Sequence, residues 1–105
     1  MSLAVGLVGD AVSTPVPPFS VTSTVYTPGI KVSVNGTKVI TKVVVTFTSA
    51  GPTPPSGTTD VVTVTPGTTK LKDNSTNVLR AGDNATGTYG NTVVITPTQT
   101  KLKSS

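Results

Sequence analysis

Short runs of alternating apolar and polar residues recur along this chain. Lys31-Val32-Ser33-Val34 and Lys70-Leu71-Lys72 alternate, and Val61-Val62-Thr63-Val64 is a run rich in β-branched residues. A period of two residues is typical of a half-buried β-strand. Further strands are predicted at Val39 to Thr48, Val78 to Ala81 and Thr92 to Thr96. Because every window of helical length contains glycine, proline or a β-branched cluster, the pattern predicts an all-β fold.

Turn residues separate these strands. Asn35-Gly36 is typical of a type I′ hairpin turn, in which both central residues adopt positive φ angles. Asp73-Asn74-Ser75 occupies the corresponding place in a later hairpin, with weaker turn chemistry. Gly9-Asp10 and Gly82-Asp83 predict tight turns, because glycine permits the bend and aspartate accepts hydrogen bonds from nearby N–H groups. A metal site or a pair of acidic groups is the alternative interpretation of these two dipeptides.

The strands and turns belong to a unit that occurs three times. Thr27-Pro28, Thr65-Pro66 and Thr96-Pro97 each follow a strand-like run and precede a lysine-containing segment. The first two copies continue into a second strand, whereas the third copy stops at Ser105 before its second half. The missing half matches Val5 to Asp10. A unit divided between the two termini predicts a closed body of short hairpins with pseudo-threefold symmetry, in which the N- and C-terminal strands pair.

Two proline-rich segments interrupt the strand pattern. Residues 14–19 and 51–57 contain most of the prolines, and proline has no N–H group for a central strand. Interdomain linkers at these places would leave fragments too small to fold alone. We therefore interpret both segments as loops within a single domain that covers residues 1–105.

The composition restricts the chemistry of the chain. Thr and Val account for 40 of the 105 residues, and Cys, His and Glu are absent. Disulfides and thiolate metal sites are excluded, and the commonest general base is missing. The serine hydroxyls have no His or Glu to activate them. We expect no enzymatic activity, no bound metal and no cofactor.

The net charge of +4 reflects a shortage of acidic residues, of which there are four. The eight basic residues are distributed through strands and tails, without the clustered stripe and stacking aromatics of a nucleic-acid surface. Lys31, Lys70 and Lys101 recur at matching positions of the unit, where we interpret them as outward residues that keep strand edges soluble. No nucleic-acid partner is expected.

The first residues do not have the pattern of a cleaved signal peptide. Met1 to Val8 has no basic segment, glycine interrupts its apolar run, and Asp10 ends it. No stretch reaches the ~20 apolar residues that a membrane helix needs. We expect synthesis in the cytoplasm without a signal peptide.

The segment from Asn74 to Gly87 resembles the PAAR-repeat family of spike-tip proteins, whose usual pattern is Asn-Gly-Lys-Pro-Ala-Ala-Arg-Val-Gly-Asp. Asn77-Val78-Leu79 replaces the Pro-Ala-Ala stretch of that pattern. Asn35 to Thr41 matches again without the Gly-Asp, and Gly9-Asp10 belongs to the third copy. Four residues of the best match fall on family positions: Asn74, Arg80, Gly82 and Asp83.

The resemblance implies a small cone of β-strands that sits on the blunt end of a trimeric β-helical spike, in a contractile phage tail or a type VI secretion machine. It implies a non-enzymatic tip protein, monomeric by itself and bound as one copy per trimer, that sharpens the spike for piercing the target cell envelope. The location would be the virion tail tip or a contractile injection apparatus. Many members bind zinc near the apex through His and Cys, which this chain lacks, so we expect no zinc.

The residues that contact the partner are less well defined by the sequence. Tyr26, Val64 and Ile95 precede the three Thr-Pro pairs, so they form either one layer of the core or a partner-facing patch. We expect attachment through a flat, largely apolar face that depends little on salt. The alternative function, a small β-sandwich decoration or fibre domain of a virion, explains the composition equally well but leaves the repeat unexplained. A carbohydrate-binding module would need more aromatic residues.

Overall fold

The computed structural model describes residues 3–105, and within this range the chain is all-β, with no helix. Stiff, β-branched Thr and Val suit a pleated backbone, and glycine and proline end most of the runs. The strands are β1 (Leu3–Ala4), β2 (Ala11–Thr14), β3 (Phe19–Val34), β4 (Thr37–Ser49), β5 (Thr59–Val64), β6 (Lys72–Asp73), β7 (Thr76–Asn77), β8 (Asn84–Thr86), β9 (Thr92–Ile95) and β10 (Lys103–Ser104).

The strands form four small sheets, in which all pairings are antiparallel. Two sheets have three strands each, in the orders β3-β4-β5 and β2-β9-β8. The other two sheets are the pairs β6-β7 and β1-β10. The proline-rich segments lie outside the strands as the loops 15–18 and 50–58, close to the predicted positions.

The terminal strands pair with each other, which confirms that prediction. Leu3 lies opposite Ser104 and Ala4 opposite Lys103. Beyond the strand, the N–H of Val5 donates to the carbonyl of Leu102 at 3.0 Å. The two chain ends therefore build a strand pair similar in size to the hairpin of β6 and β7.

β3 is longer than the sequence predicts. The pattern indicates separate strands on either side of Thr27-Pro28, but β3 runs through this dipeptide from Phe19 to Val34. Its pairing with β4 shifts register on both sides of Pro28. Because β3 is an edge strand, a proline that cannot donate a hydrogen bond is tolerated there.

The larger hydrophobic cluster lies between the two three-stranded sheets. In β5, in β9 and in residues 43–49 of β4 every second residue is buried, as expected when one face of a sheet packs on a core. We call this part the two-sheet end: β2, β5, β8 and β9 with residues 19–26 of β3 and 43–49 of β4. Its buried apolar residues include Val43, Val45, Phe47, Val62, Val64, Val93 and Ile95.

A smaller cluster lies under the three strand pairs. Val5, Leu7, Val39 and Val78 are its buried members. We call this part the three-hairpin end: residues 31–38 and 70–77 together with the strand pair β1-β10. The protein measures 44 × 25 × 23 Å. The 13 residues of β4 would span about 43 Å at the usual rise per residue, so this strand runs the length of the molecule from the three-hairpin end to the two-sheet end.

Candidate functional site: the three-hairpin end

Three backbone segments meet in a ring of hydrogen bonds next to the three-hairpin end. The N–H of Gly6 donates to the carbonyl of Leu79 at 2.9 Å, the N–H of Leu79 to Ile40 at 2.9 Å, and the N–H of Ile40 to Gly6 at 3.1 Å. Each residue donates once and accepts once, so this polar backbone is satisfied without a continuous sheet. We refer to these three bonds as the backbone ring.

Packing around the ring explains why one of its members is glycine. A Cβ atom on Gly6 would lie 2.7 Å from Cγ2 of Ile95 and 3.3 Å from Cδ1 of Ile40. Such distances are too short for ordinary contacts, so a side chain at residue 6 would displace Ile95. The absence of a side chain at Gly6 lets the two isoleucines fill the space beside the ring.

Two of the strand pairs close through tight turns. Asn35 and Gly36 have φ angles of 51° and 85°, and Asn74 and Ser75 have φ angles of 51° and 69°. All four residues have the positive φ that a type I′ turn requires, although only Gly36 adopts it without steric cost. Both turns lie where the sequence predicts them, except that Asp73, predicted as part of the second turn, is the last residue of β6. The third strand pair, β1-β10, has the two chain ends where the others have a turn.

Polar side chains connect the strand pair β6-β7 to each of the other two strand pairs. The carboxylate of Asp73 accepts hydrogen bonds from the N–H groups of Ile30 and Val32 at 2.8 and 2.7 Å, and from that of the intervening residue. This brace joins residues more than 40 positions apart in the sequence. Oγ of Ser104 accepts from the N–H of Leu71 at 3.0 Å and gives a similar connection between β10 and the segment before β6.

A glutamine braces the terminal strand pair itself. Nε2 of Gln99 donates to the carbonyl of Val5 at 2.8 Å and to that of Leu102 at 2.9 Å. Its Oε1 accepts from the N–H of Leu102 at 2.8 Å. The terminal strand pair is therefore held by side-chain bonds as well as by its short ladder.

The environment of Asp73 favours its charged form. Burial alone would raise the pKa of this carboxyl group, but the hydrogen bonds from Val32, Ile30 and Lys31 and the positive charge of Lys31 together hold it below its ordinary value. The side chain is only 2% exposed. Asp73 is thus a charged brace of the fold, with its oxygens engaged by backbone N–H groups.

A close approach at Gly29 makes the Asp73 brace possible. A Cβ atom on Gly29 would collide with Oδ2 of Asp73 and would lie 2.7 Å from its Cγ and 2.8 Å from Cγ2 of Val39. Gly67 follows the second Thr-Pro pair, and a Cβ atom there would meet nothing within 4 Å. The first Thr-Pro-Gly sequence therefore needs its glycine for packing, and the second does not.

The two Gly-Asp dipeptides form matching turns. Oδ2 of Asp10 accepts from the N–H of Leu7 at 2.8 Å, and Oδ2 of Asp83 accepts from the N–H of Arg80 at 2.8 Å. The glycines before them, Gly9 and Gly82, have φ angles of 103° and 87°. This arrangement is the turn-capping role that the sequence favours. Within residues 3–105 no group of three or more His, Cys, Asp or Glu side chains could hold a metal ion.

A shallow cleft of about 260 Å³ lies beside the Asp73 brace. The one charged group in its wall is the Asp73 carboxylate, which is already engaged by three backbone N–H groups. The cleft thus presents mainly threonine, proline and backbone surface to solvent. Its lining residues are Thr27, Pro28, Gly29, Ile30, Thr41, Asp73, Asn74 and Thr76.

The charged side chains are distributed very unevenly. Residues 11–30, 43–69 and 84–100 contain one charged side chain, Asp60, which is 4% exposed and accepts a hydrogen bond from Nδ2 of Asn91 at 2.8 Å. The basic residues are spread through several strands and the C-terminal segment in the sequence, but folding brings most of them to one end. Six of the eight belong to the three strand pairs and their flanks, and all six are exposed: Lys31, Lys38, Lys70, Lys72, Lys101 and Lys103.

The predicted contact residues lie away from this end. Val64 is fully buried and Ile95 is 1% exposed, because both point between the two three-stranded sheets. Tyr26 is half-buried against the same cluster, and its hydroxyl accepts from the N–H of Ala11 at 3.3 Å. These residues form part of the core, and the partner-facing interpretation of Val64 and Ile95 is corrected accordingly. Burial of this kind depends on how the sheets pack, which a strand pattern does not specify.

Comparisons with protein-family models, curated proteins and solved structures find no match for this chain. Among residues 3–105 there is no helix with the length and apolar character to cross a bilayer.

Proposed function

We propose that this chain is a PAAR-like spike-tip protein, a cone-shaped β body with pseudo-threefold symmetry that caps a trimeric β-helical spike as one copy per trimer. The observation that carries the proposal is the backbone ring of Gly6, Ile40 and Leu79 with three strand pairs beside it. One of these pairs is made from the two chain ends. A single chain that binds the end of a trimer needs three similar surfaces, and three strand pairs supply them.

The three-hairpin end faces the spike in this proposal. The three strand pairs converge there around one small apolar cluster. The other end has two packed sheets of three strands each, which give no threefold set of surfaces. The spike would therefore contact the turns and strand pairs, and the two-sheet end would point away from it.

The composition of the two-sheet end supports a role in entering a cell envelope. Apart from the buried Asp60, residues 11–30, 43–69 and 84–100 contain no charged side chain. Moving a charged group from water into an apolar layer is costly, and this end avoids that cost. A non-enzymatic, mechanical function follows, in which contraction of a phage tail or injection apparatus drives the two-sheet end through the target envelope.

The stoichiometry of the complex tests the proposal. The chain would be mixed with the purified trimeric β-helical spike protein encoded in the same genome, and the complex would be weighed by native mass spectrometry. We expect one copy of this chain per spike trimer, bound to a chain that is monomeric by itself. A spike lacking its blunt terminal segment serves as the control and should not bind. Three copies per trimer, or no complex, would contradict the proposal.

One observation favours a second candidate, a small β-sandwich decoration or fibre domain of a virion. The two three-stranded sheets both contribute residues to one apolar cluster, as the sheets of a sandwich do. This candidate gives no reason for the backbone ring or the pairing of the chain ends. Localisation by labelled antibody on intact virions distinguishes the two, because a decoration domain would be found in many copies along the capsid or fibres.

A further inference from the structure

The exposed lysines of the three-hairpin end indicate the chemistry of the surface that it binds. We propose that this end docks on an acidic protein surface, and that the blunt end of the trimeric spike presents carboxylates opposite three pairs of lysines. This inference depends on the proposed function and adds the charge of the partner to it. It also replaces the expectation of a salt-insensitive apolar contact.

Each strand pair contributes two of the lysines. Lys31 and Lys38 flank the first turn, Lys70 and Lys72 precede the second, and Lys101 and Lys103 belong to the terminal pair. All six are exposed, and the positive charge of Lys31 also acts on the Asp73 carboxylate and helps to lower its pKa. The acidic side chain at this end is Asp73, which is buried and bound to backbone N–H groups. Six lysines against one acidic side chain give this end a net positive charge.

The arrangement of these lysines suits a protein partner better than a nucleic acid. The residues between or beside them, Val32, Leu71 and Leu102, are partly buried against the small apolar cluster. Apolar groups at the centre and charged groups at the rim are typical of protein interfaces. Single-stranded nucleic acids are usually bound by aromatic side chains that stack on bases, and the aromatic residues of this chain belong to the two-sheet end: Phe19, Tyr26, Phe47 and Tyr89.

Charge at the rim would act mainly on the rate and orientation of docking. Exposed ion pairs contribute little stability individually, but complementary fields accelerate encounter and exclude wrong partners. Lysines at three places would attract a trimer whose carboxylates repeat around its axis. The same charges would repel the three-hairpin end of a second copy, which agrees with a monomeric tip.

The test compares lysine variants in binding to the purified spike trimer. Lys31→Gln, Lys70→Gln and Lys101→Gln are combined in one protein, and Lys42→Gln is the matched control, because Lys42 is exposed on β4 outside the three-hairpin end. Each dissociation constant is measured at low and high salt by biolayer interferometry. We expect binding of the unmodified chain to weaken about 10-fold or more at high salt, and the triple variant to bind about 10-fold more weakly at low salt with little further salt effect. Lys42→Gln should bind like the unmodified chain.

Every outcome of this test either supports or overturns the inference. Binding with one copy per trimer that responds neither to salt nor to the triple variant would overturn the inference and leave the proposed function intact. Failure of the unmodified chain to bind the spike would overturn both. Tighter binding to a single-stranded DNA oligonucleotide, or to phosphatidylglycerol vesicles, than to the spike would overturn the inference in favour of another anion. If the triple variant does not melt like the unmodified chain, the three single variants are compared with Lys42→Gln, and each should weaken binding about 2-fold.

Discussion

The three-hairpin end and the two-sheet end are stabilised in different ways. Eight of the ten buried apolar residues of the larger cluster belong to the two-sheet end, and the other two, Ile40 and Leu79, belong to the backbone ring. The three-hairpin end has four buried apolar residues and depends more on the backbone ring, the positive-φ turns and the polar braces of Asp73, Ser104 and Gln99. Burial tolerates small shifts in position, whereas hydrogen bonds require defined geometry. The end with the more restrictive geometry is the one that we propose docks on a partner.

The same two regions also differ in the charge of their surfaces. The exposed lysines surround the hydrogen-bonded end, and the end with the apolar core presents uncharged threonine, serine, valine and proline. This division agrees with the proposal that one end holds a protein and the other enters an envelope. Substitutions that act on one region and spare the other test the comparison.

The largest expected effect comes from the core of the two-sheet end. Phe47 is the largest fully buried side chain, and Phe47→Ala would leave a cavity between the sheets. We expect a loss of about 3–5 kcal/mol in the free energy of unfolding, measured by urea denaturation. Val25→Ala, on an exposed position of the neighbouring strand, is the control and should change it by less than about 0.5 kcal/mol. Similar losses for the two variants would show that this cluster is not the main source of stability.

The next largest effect is expected at Gly29, and Gly67 of the second Thr-Pro-Gly sequence provides the comparison. Gly29→Ala would push a methyl group into the Asp73 carboxylate and Val39, and we expect a loss of about 1–3 kcal/mol. Gly67→Ala meets no neighbour, so it should be neutral or stabilise the protein by up to about 1 kcal/mol through a less flexible unfolded chain. Thermal melting of the two variants provides the measurement. Equal melting temperatures would contradict the role assigned to Gly29.

The contrast between these glycines shows what a sequence can predict here. The all-β fold, the Asn35-Gly36 turn and the pairing of the chain ends are predictable from the sequence. Strand alternation, turn residues and the divided repeat are all visible along the chain. The Thr-Pro-Gly copies look alike, yet only one approaches Asp73. That approach depends on a contact between residues distant in sequence, which no local pattern contains.

The sequence also does not predict which charged residues lie together or which apolar residues are buried, because both depend on contacts between distant parts of the chain. Each lysine pair is visible in the sequence, but the folding of three separate segments onto one end is what makes them a surface. Similarly, Val64 and Ile95 occupy matching positions, and only the packing of one sheet on the other decides that they face inward. The sequence predicts which residues are equivalent and not what they face.

Acid should weaken the three-hairpin end through Asp73. Because hydrogen bonds and Lys31 lower the pKa of this carboxyl group in the folded state, its contribution to stability is present above the unfolded pKa, near pH 4, and is lost as pH falls through the lower folded value. Asp73→Asn should therefore be less stable than the unmodified chain at pH 7, with a difference that narrows below about pH 4. Urea denaturation across this pH range measures both curves. Parallel curves would mean that the charge of Asp73 does not stabilise the fold.

The smallest expected effect concerns the two turns of the three-hairpin end. Ser75 has a φ of 69°, a conformation that costs a residue with a side chain about 1 kcal/mol, whereas Gly36 occupies the matching turn at φ 85° without that cost. Ser75→Gly should therefore stabilise the protein by up to about 1 kcal/mol, since relief of the strain exceeds the added flexibility of the unfolded chain. Gly36→Ala should have the opposite effect, with a loss of about 1 kcal/mol or more.

The control for the turn is Ser56→Gly, at a loop serine without positive φ. It increases the flexibility of the unfolded chain and relieves no strain, so we expect a small loss of stability. Thermal melting of all three variants separates turn strain from the general effect of glycine. If Ser75→Gly and Ser56→Gly destabilise the protein equally, the turn at Ser75 is not strained. The geometry of the three-hairpin end would then depend less on its turns than on the hydrogen bonds of Asp73, Ser104 and Gln99.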